Sequence, residues 1–179
     1  MKATAALVPL LALAGCAHMP MARGSTALDP LLAFSDPSRC EQSLAHTRLL
    51  NEMVAGDAEE GFRPGRIVVA QPFGQAFGPI FVDRVGDFTV VGTPVSGTLF
   101  GLSLVSIEQA FPDGGDPGDV TYTFETTVTN LEGQLVARGF PAKAGQTVSM
   151  GPPDVYDHVI QVLPDPSNRG RAMFLCGYR

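Results

Sequence analysis

The spacing of apolar and polar positions changes along this chain, and each change marks a different kind of segment. Residues 3–15 are almost wholly apolar, interrupted by Thr4 and Pro9. The run is too short to cross a bilayer as a helix, which takes about 20 apolar residues. From 17 to 37 the pattern breaks into isolated apolar residues divided by Pro20, Gly24, Pro30 and Pro37, the texture of a tether. Its second half carries Leu28, Leu31, Leu32 and Phe34, enough apolar surface to dock onto a folded domain. A helical rhythm begins at Ser38, which forms a capping box with Glu41. The spacing predicts a helix over 38–55, with Cys40, Leu44, Thr47 and Val54 on its packed face and Leu50 close by. Asp57, Glu59 and Glu60 then read as a solvated acidic loop.

From Arg66 onward the rhythm is that of strands. The clearest is 119–129, where Val120, Tyr122, Phe124 and Val128 share one face and Thr and Glu fill the other. Residues 130–133 read as a turn, with a returning strand over 134–140. Further strands are predicted at 67–70, 80–85, 88–92, 99–107, 147–150, 155–163 and 171–178. In the last of these Ala172, Phe174, Cys176 and Tyr178 share a face. The chain's 20 glycines and 15 prolines fit short strands divided by turns. The fold class expected is mainly β: an antiparallel β-sandwich or partly open barrel with one N-terminal helix. Gly139–Val148 followed by Val159–Pro164 resembles a pattern of secretin-type β domains, a strand ending in a Gly-Gln turn and a later strand ending in proline. That resemblance covers about a third of the chain after residue 15 and implies β architecture only.

The start of the chain has one positive residue, Lys2, before its apolar run, and small residues at its end, which is the layout of a secretory signal. Leu13-Ala14-Gly15-Cys16 resembles the lipobox of bacterial lipoproteins. The resemblance implies cleavage before Cys16, a thioether to diacylglycerol on its sulfur, and acyl chains such as palmitate that hold the protein to a membrane. Ala17, where aspartate would favour inner-membrane retention, implies the outer membrane and a domain on its periplasmic side. The organisation expected is a signal over 1–15, a lipidated Cys16 and tether over 16–37, and one globular domain over 38–179.

Removing residues 1–15 leaves 164 residues and takes the net charge from −6 to −7, because Lys2 is lost. An acidic domain with no cluster of Lys and Arg excludes nucleic acid as a partner. With Cys16 assigned to lipid, Cys40 and Cys176 remain. In an exported protein that pair is expected to form one disulfide closing nearly the whole domain. The alternative is two free thiols, and the close Cys pair of redox motifs is absent.

Candidate chemistry changes this picture little. The histidines are His18 in the tether, His46 on the predicted helix and His158 in a strand, with Asp154 and Asp157 flanking Tyr156 nearby. No nucleophile elbow, zinc-spaced set or phosphate-cradling glycine loop accompanies them, so neither an enzyme nor a cofactor is expected. His18, Met19 and Met21 are soft ligands of the kind Cu(I) takes, but tether composition explains them as well. Asp113, Asp116 and Asp119 are weak calcium candidates on a turn that needs no ion. Phe73 and Phe77, set among Gly and Pro, are the candidate anchors for a protein partner. The function expected is a non-enzymatic envelope binding or assembly module. A carrier of a small apolar ligand or an inhibitor domain is the first alternative, and an envelope hydrolase the second.

Overall fold

The computed structural model describes residues 25–113, 118–151 and 158–178. Strands β1 (Thr26–Ala27), β6 (Phe81–Val85), β7 (Phe88–Leu99), β8 (Leu102–Pro112), β9 (Val120–Phe124), β10 (Thr147–Ser149), β11 (His158–Pro164) and β12 (Ala172–Tyr178) form one eight-stranded sheet. Its order is β1-β7-β8-β9-β12-β11-β10, with β6 alongside β7. Every pairing between these strands is antiparallel except that of β1 with β7. Two ribbons, β2 (Phe34–Asp36) with β3 (Glu41–Gln42) and β4 (Val54–Ala55) with β5 (Arg63–Pro64), stand apart from it. Helices α1 (Leu44–Met53) and α2 (Val128–Val136) pack on the sheet with the N-terminal segment, giving a sandwich-like second layer. The mainly β fold with an N-terminal helix is therefore as expected.

Register defines the two faces of the sheet. Phe174 sits opposite Tyr122 and Val162, and Tyr122 opposite Ile107, so these side chains share the inner face. All are fully buried. Ala172 and Cys176 join them, as the alternation in that strand predicts.

Several expectations need correction. The helix begins at Leu44 with Ser43 as its cap, whose hydroxyl accepts from the His46 N–H. Ser38 instead lies in a one-turn 3-10 helix over Pro37–Arg39, capped by Asp36. Cys40 then takes a left-handed backbone (φ 57°), which an α-helix cannot continue through. The later start rotates the packed face to His46, Leu49, Leu50 and Met53 and leaves Leu44 and Thr47 exposed. The folded part also begins before Ser38, because β1 pairs with β7 and both Leu28 and Leu32 are fully buried. Gly97 permits this approach: a Cβ there would collide with Leu28 and the Thr26 carbonyl.

Residues 130–140 are not a turn and a strand. Thr127 caps α2, Val128, Leu131 and Leu135 recur at helical spacing, and Gly139 (φ 90°) follows the helix end. The clear strand accordingly stops at Phe124. The predicted strand 99–107 contains a hairpin turn, with Phe100 (φ 58°) and Gly101 (φ 74°) joining β7 to β8. Phenylalanine there is held by its surroundings: its ring is buried near Phe124, and Asp29 accepts its N–H at 3.0 Å. Residues 67–70 pair with no strand, and the Val68 N–H donates to the Glu52 carboxylate of α1 at 2.8 Å.

Candidate functional site

The disulfide comes first because it fixes where the N-terminal segment lies. Cys40 and Cys176 are bonded, with Cα atoms 5.9 Å apart and 136 residues between them in sequence. Cys40 follows the 3-10 turn rather than sitting on the helix, and Cys176 points inward from β12 as its face predicts. The bond staples the segment before α1 onto the inner face of the sheet.

Under that staple Phe34 enters an aromatic cluster. Its ring lies 4.9 Å from Phe140, 5.0 Å from His46, 6.0 Å from Tyr122 and 6.1 Å from Phe174. His46, on the first turn of α1, is fully buried. Its Nδ1 lies 3.2 Å from the Ala33 carbonyl and its Nε2 2.9 Å from the Tyr122 hydroxyl. A neutral imidazole satisfies both contacts, with Nδ1–H donating to the carbonyl and Nε2 accepting from the phenol. Burial lowers the His46 pKa from 6.5 to about 4, the Ala33 hydrogen bond opposing it. Burial pushes the Tyr122 phenol well up, with a hydrogen bond from Gln42 pulling the other way. The pair is closed to solvent and saturated by its own contacts, which suits a structural hydrogen bond. Sequence reasoning placed His46 on a helix but had no signal linking it to a tyrosine 76 residues away.

Phe73 and Phe77 belong to the segment that meets β7 between the stretches paired with β6 and β1. Thr93 donates to the Gly78 carbonyl at 3.0 Å, the Gly78 N–H donates to Pro94 at 2.8 Å, and Phe77 bridges to Val95. Both rings are half-buried and pack on the core. Phe73 also lines an apolar cleft of 440 Å³ between α1 and residues 68–73, shared with Leu31, Leu44, Leu49 and Val68. Two of its walls, Leu44 and Val68, are exposed apolar residues, and the first of them is one that the predicted helix phase had assigned to packing.

A second exposed apolar set lies at the sheet edge. Phe81, Val85 and Phe88 share the outer face of the β6–β7 pair, opposite to buried Val91. Arg84, which the strand alternation puts on the other face with Thr89, grips both oxygens of Asp113 at 2.6 and 2.5 Å. That ion pair raises the Arg84 pKa and lowers that of Asp113, so Asp113 is committed to an arginine.

Asp119 lies just before β9, close against Gly177. Among the described residues no cluster of three or more His, Cys, Asp or Glu side chains is placed to hold a metal. Cys16, His18, Met19, Met21, Asp116, Asp154, Tyr156 and Asp157 lie outside the described residues, and His158 is half-buried at the start of β11. The class these features define is a disulfide-closed, mainly β domain with two helices on its inner face. No family model, curated protein or solved structure matches this chain.

Proposed function

We propose that this chain is a lipid-anchored protein of the bacterial outer membrane, facing the periplasm, that works by binding another envelope component and not by catalysis. The anchor rests on the lipobox-like Leu13-Ala14-Gly15-Cys16 and the short apolar run before it. A disulfide fits an oxidising compartment, and no helix among the described residues is long and apolar enough to cross a membrane. The observation that carries the binding reading is the exposed apolar set Phe81, Val85 and Phe88 on an edge strand, where an incoming chain finds both apolar contacts and free backbone groups. The saturated His46–Tyr122 pair supports packing as the role of those two groups.

The test is photo-crosslinking in intact cells from a probe at Phe88, repeated with Val85→Ser. A defined envelope partner that is lost in Val85→Ser, with the thermal midpoint preserved, supports the reading. A partner captured equally by both proteins contradicts the surface. A carrier of a small apolar ligand is the second reading, favoured by the 440 Å³ apolar cleft, a volume within the range of ligand sites.

A further inference from the structure

The cleft between α1 and residues 68–73 is walled by side chains that folding has left in water. Leu44 is 90% exposed and Val68 60%, the largest exposures of any large apolar side chain among the described residues. Both are walls of this one cleft, with Leu31 and Phe73 behind them. We propose that this face is the surface on which the domain rests against the bilayer, with Leu44 and Val68 entering the headgroup boundary. The proposal rests on the reading of Cys16 as a lipid anchor.

The length and end point of the tether argue for lipid as the occupant. Nine Cα-to-Cα steps lead from Cys16 to Ser25, a reach of at most about 32 Å even fully extended. The chain then enters β1, and in the turn directly after it the Leu31 N–H donates to the Leu28 carbonyl at 2.9 Å. Leu31 is itself a wall of the cleft, so the cleft lies one turn from the place where the tether joins the domain. A lipid on Cys16 therefore keeps the side of the domain where the tether enters within that reach of the bilayer.

Charge is arranged compatibly. Arg48, exposed at the rim, pairs with Glu52 at 2.8 Å, so the cleft carries no unpaired charge. Arg48 also lines the cleft, and a side chain of this kind covers apolar surface with its aliphatic stem while its guanidinium stays at the polar boundary. The acidic residues Asp57, Glu59 and Glu60 follow the far end of α1. The helix has ten residues, which places its last Cα about 14 Å from Leu44 along the axis. Two apolar side chains are a weak membrane ligand for a free domain. On a tether the local lipid concentration is high, and weak contact suffices to set orientation.

The chain contains no tryptophan, so one introduced indole reports from a single place. Lipidated Leu44→Trp and, as the opposite-face control, Val85→Trp are reconstituted into phosphatidylethanolamine–phosphatidylglycerol vesicles containing brominated lipid. The proposal expects a blue shift and loss of emission for Leu44→Trp, repeated in Val68→Trp, with neither in Val85→Trp. Equal quenching at both faces, or none at Leu44→Trp and Val68→Trp, overturns it. A blue shift without vesicles accompanied by dimer formation overturns it in favour of self-association. Quenching by soluble brominated fatty acid but not by vesicles overturns it in favour of a ligand carrier. Intact mass separately reports acylation of Cys16. If none is found the anchoring reading fails, and coupling Cys16 to a maleimide phospholipid still tests the contact itself.

Discussion

On the inner face of the sheet Tyr122, Phe124 and Phe174 are sealed beneath α1, α2 and the disulfide-stapled N-terminal segment, whereas on the outer face Phe81, Val85 and Phe88 stand exposed along the β6–β7 edge. Both sets come from alternating strands of the same sheet, the inner one from β9 and β12 and the outer one from β6 and β7. What separates them is cover: the inner face meets two helices and a plug, Phe34, that contacts rings from β9, β12 and α1. The inner set is accounted for by the fold itself. The outer set contributes little to folding, and that makes it the region where binding is to be sought.

The inner face is opened most severely at the staple. Replacing Cys40 and Cys176 by alanine reopens a 136-residue loop, a loss of up to about 5 kcal/mol in the chain-entropy model. Denaturant titration should show a lower midpoint, and an unchanged midpoint would mean that the segment before α1 is held without the bond.

Acid should act next, and on the inner face. Because the His46 pKa is lowered in the folded state to about 4 from 6.5, the unfolded chain takes up the proton first as pH falls. Stability from this group is complete above pH 6.5 and is lost as pH drops toward 4, by up to about 3 kcal/mol. The lowered carboxylates Glu52, Asp113 and Asp165 act only below their ordinary values of 4.5 for glutamate and 3.8 for aspartate, so the slope between pH 6.5 and 4.5 belongs to His46. A flat stability curve across that window would place His46 in water.

A smaller cut sharpens the same point. Tyr122→Phe keeps the ring but leaves His46 Nε2 buried without its donor, a cost of about 1–3 kcal/mol measured by urea unfolding. The smallest effect is expected outside: Phe88→Ser should shift stability by no more than about 0.5 kcal/mol while weakening partner capture.

Much of the inner face was legible because strand alternation is a direct record of burial. The inward set Ala172, Phe174 and Cys176 followed from period two alone, and with compartment it pointed to the disulfide. Helices were harder. In α2, Asn130 and, three residues on, Gly133 imitate a turn, although Val128, Leu131 and Leu135 already carry the helical period. In α1 the error was one of phase: Ser38 and Glu41 form a plausible cap, but Pro37 and the left-handed Cys40 confine that turn. Moving the start to Leu44 turned that residue from core to surface, and so the cleft was hidden. Phe100 reads as a strand residue, and only its tertiary partners permit it in a turn. The His46–Tyr122 pair joins segments that share no local pattern, so nothing in the chain foretold it.

An anchor at Cys16 and a domain closed by Cys40 and Cys176 are read together by one measurement on all three cysteines. Intact mass of the membrane-extracted protein, alkylated before and after reduction, should show a chain beginning at Cys16 with acyl groups attached. No alkylated thiol should appear before reduction, and two should appear after it. A chain retaining residues 1–15 without lipid, or Cys40 and Cys176 alkylated without reductant, would contradict the account.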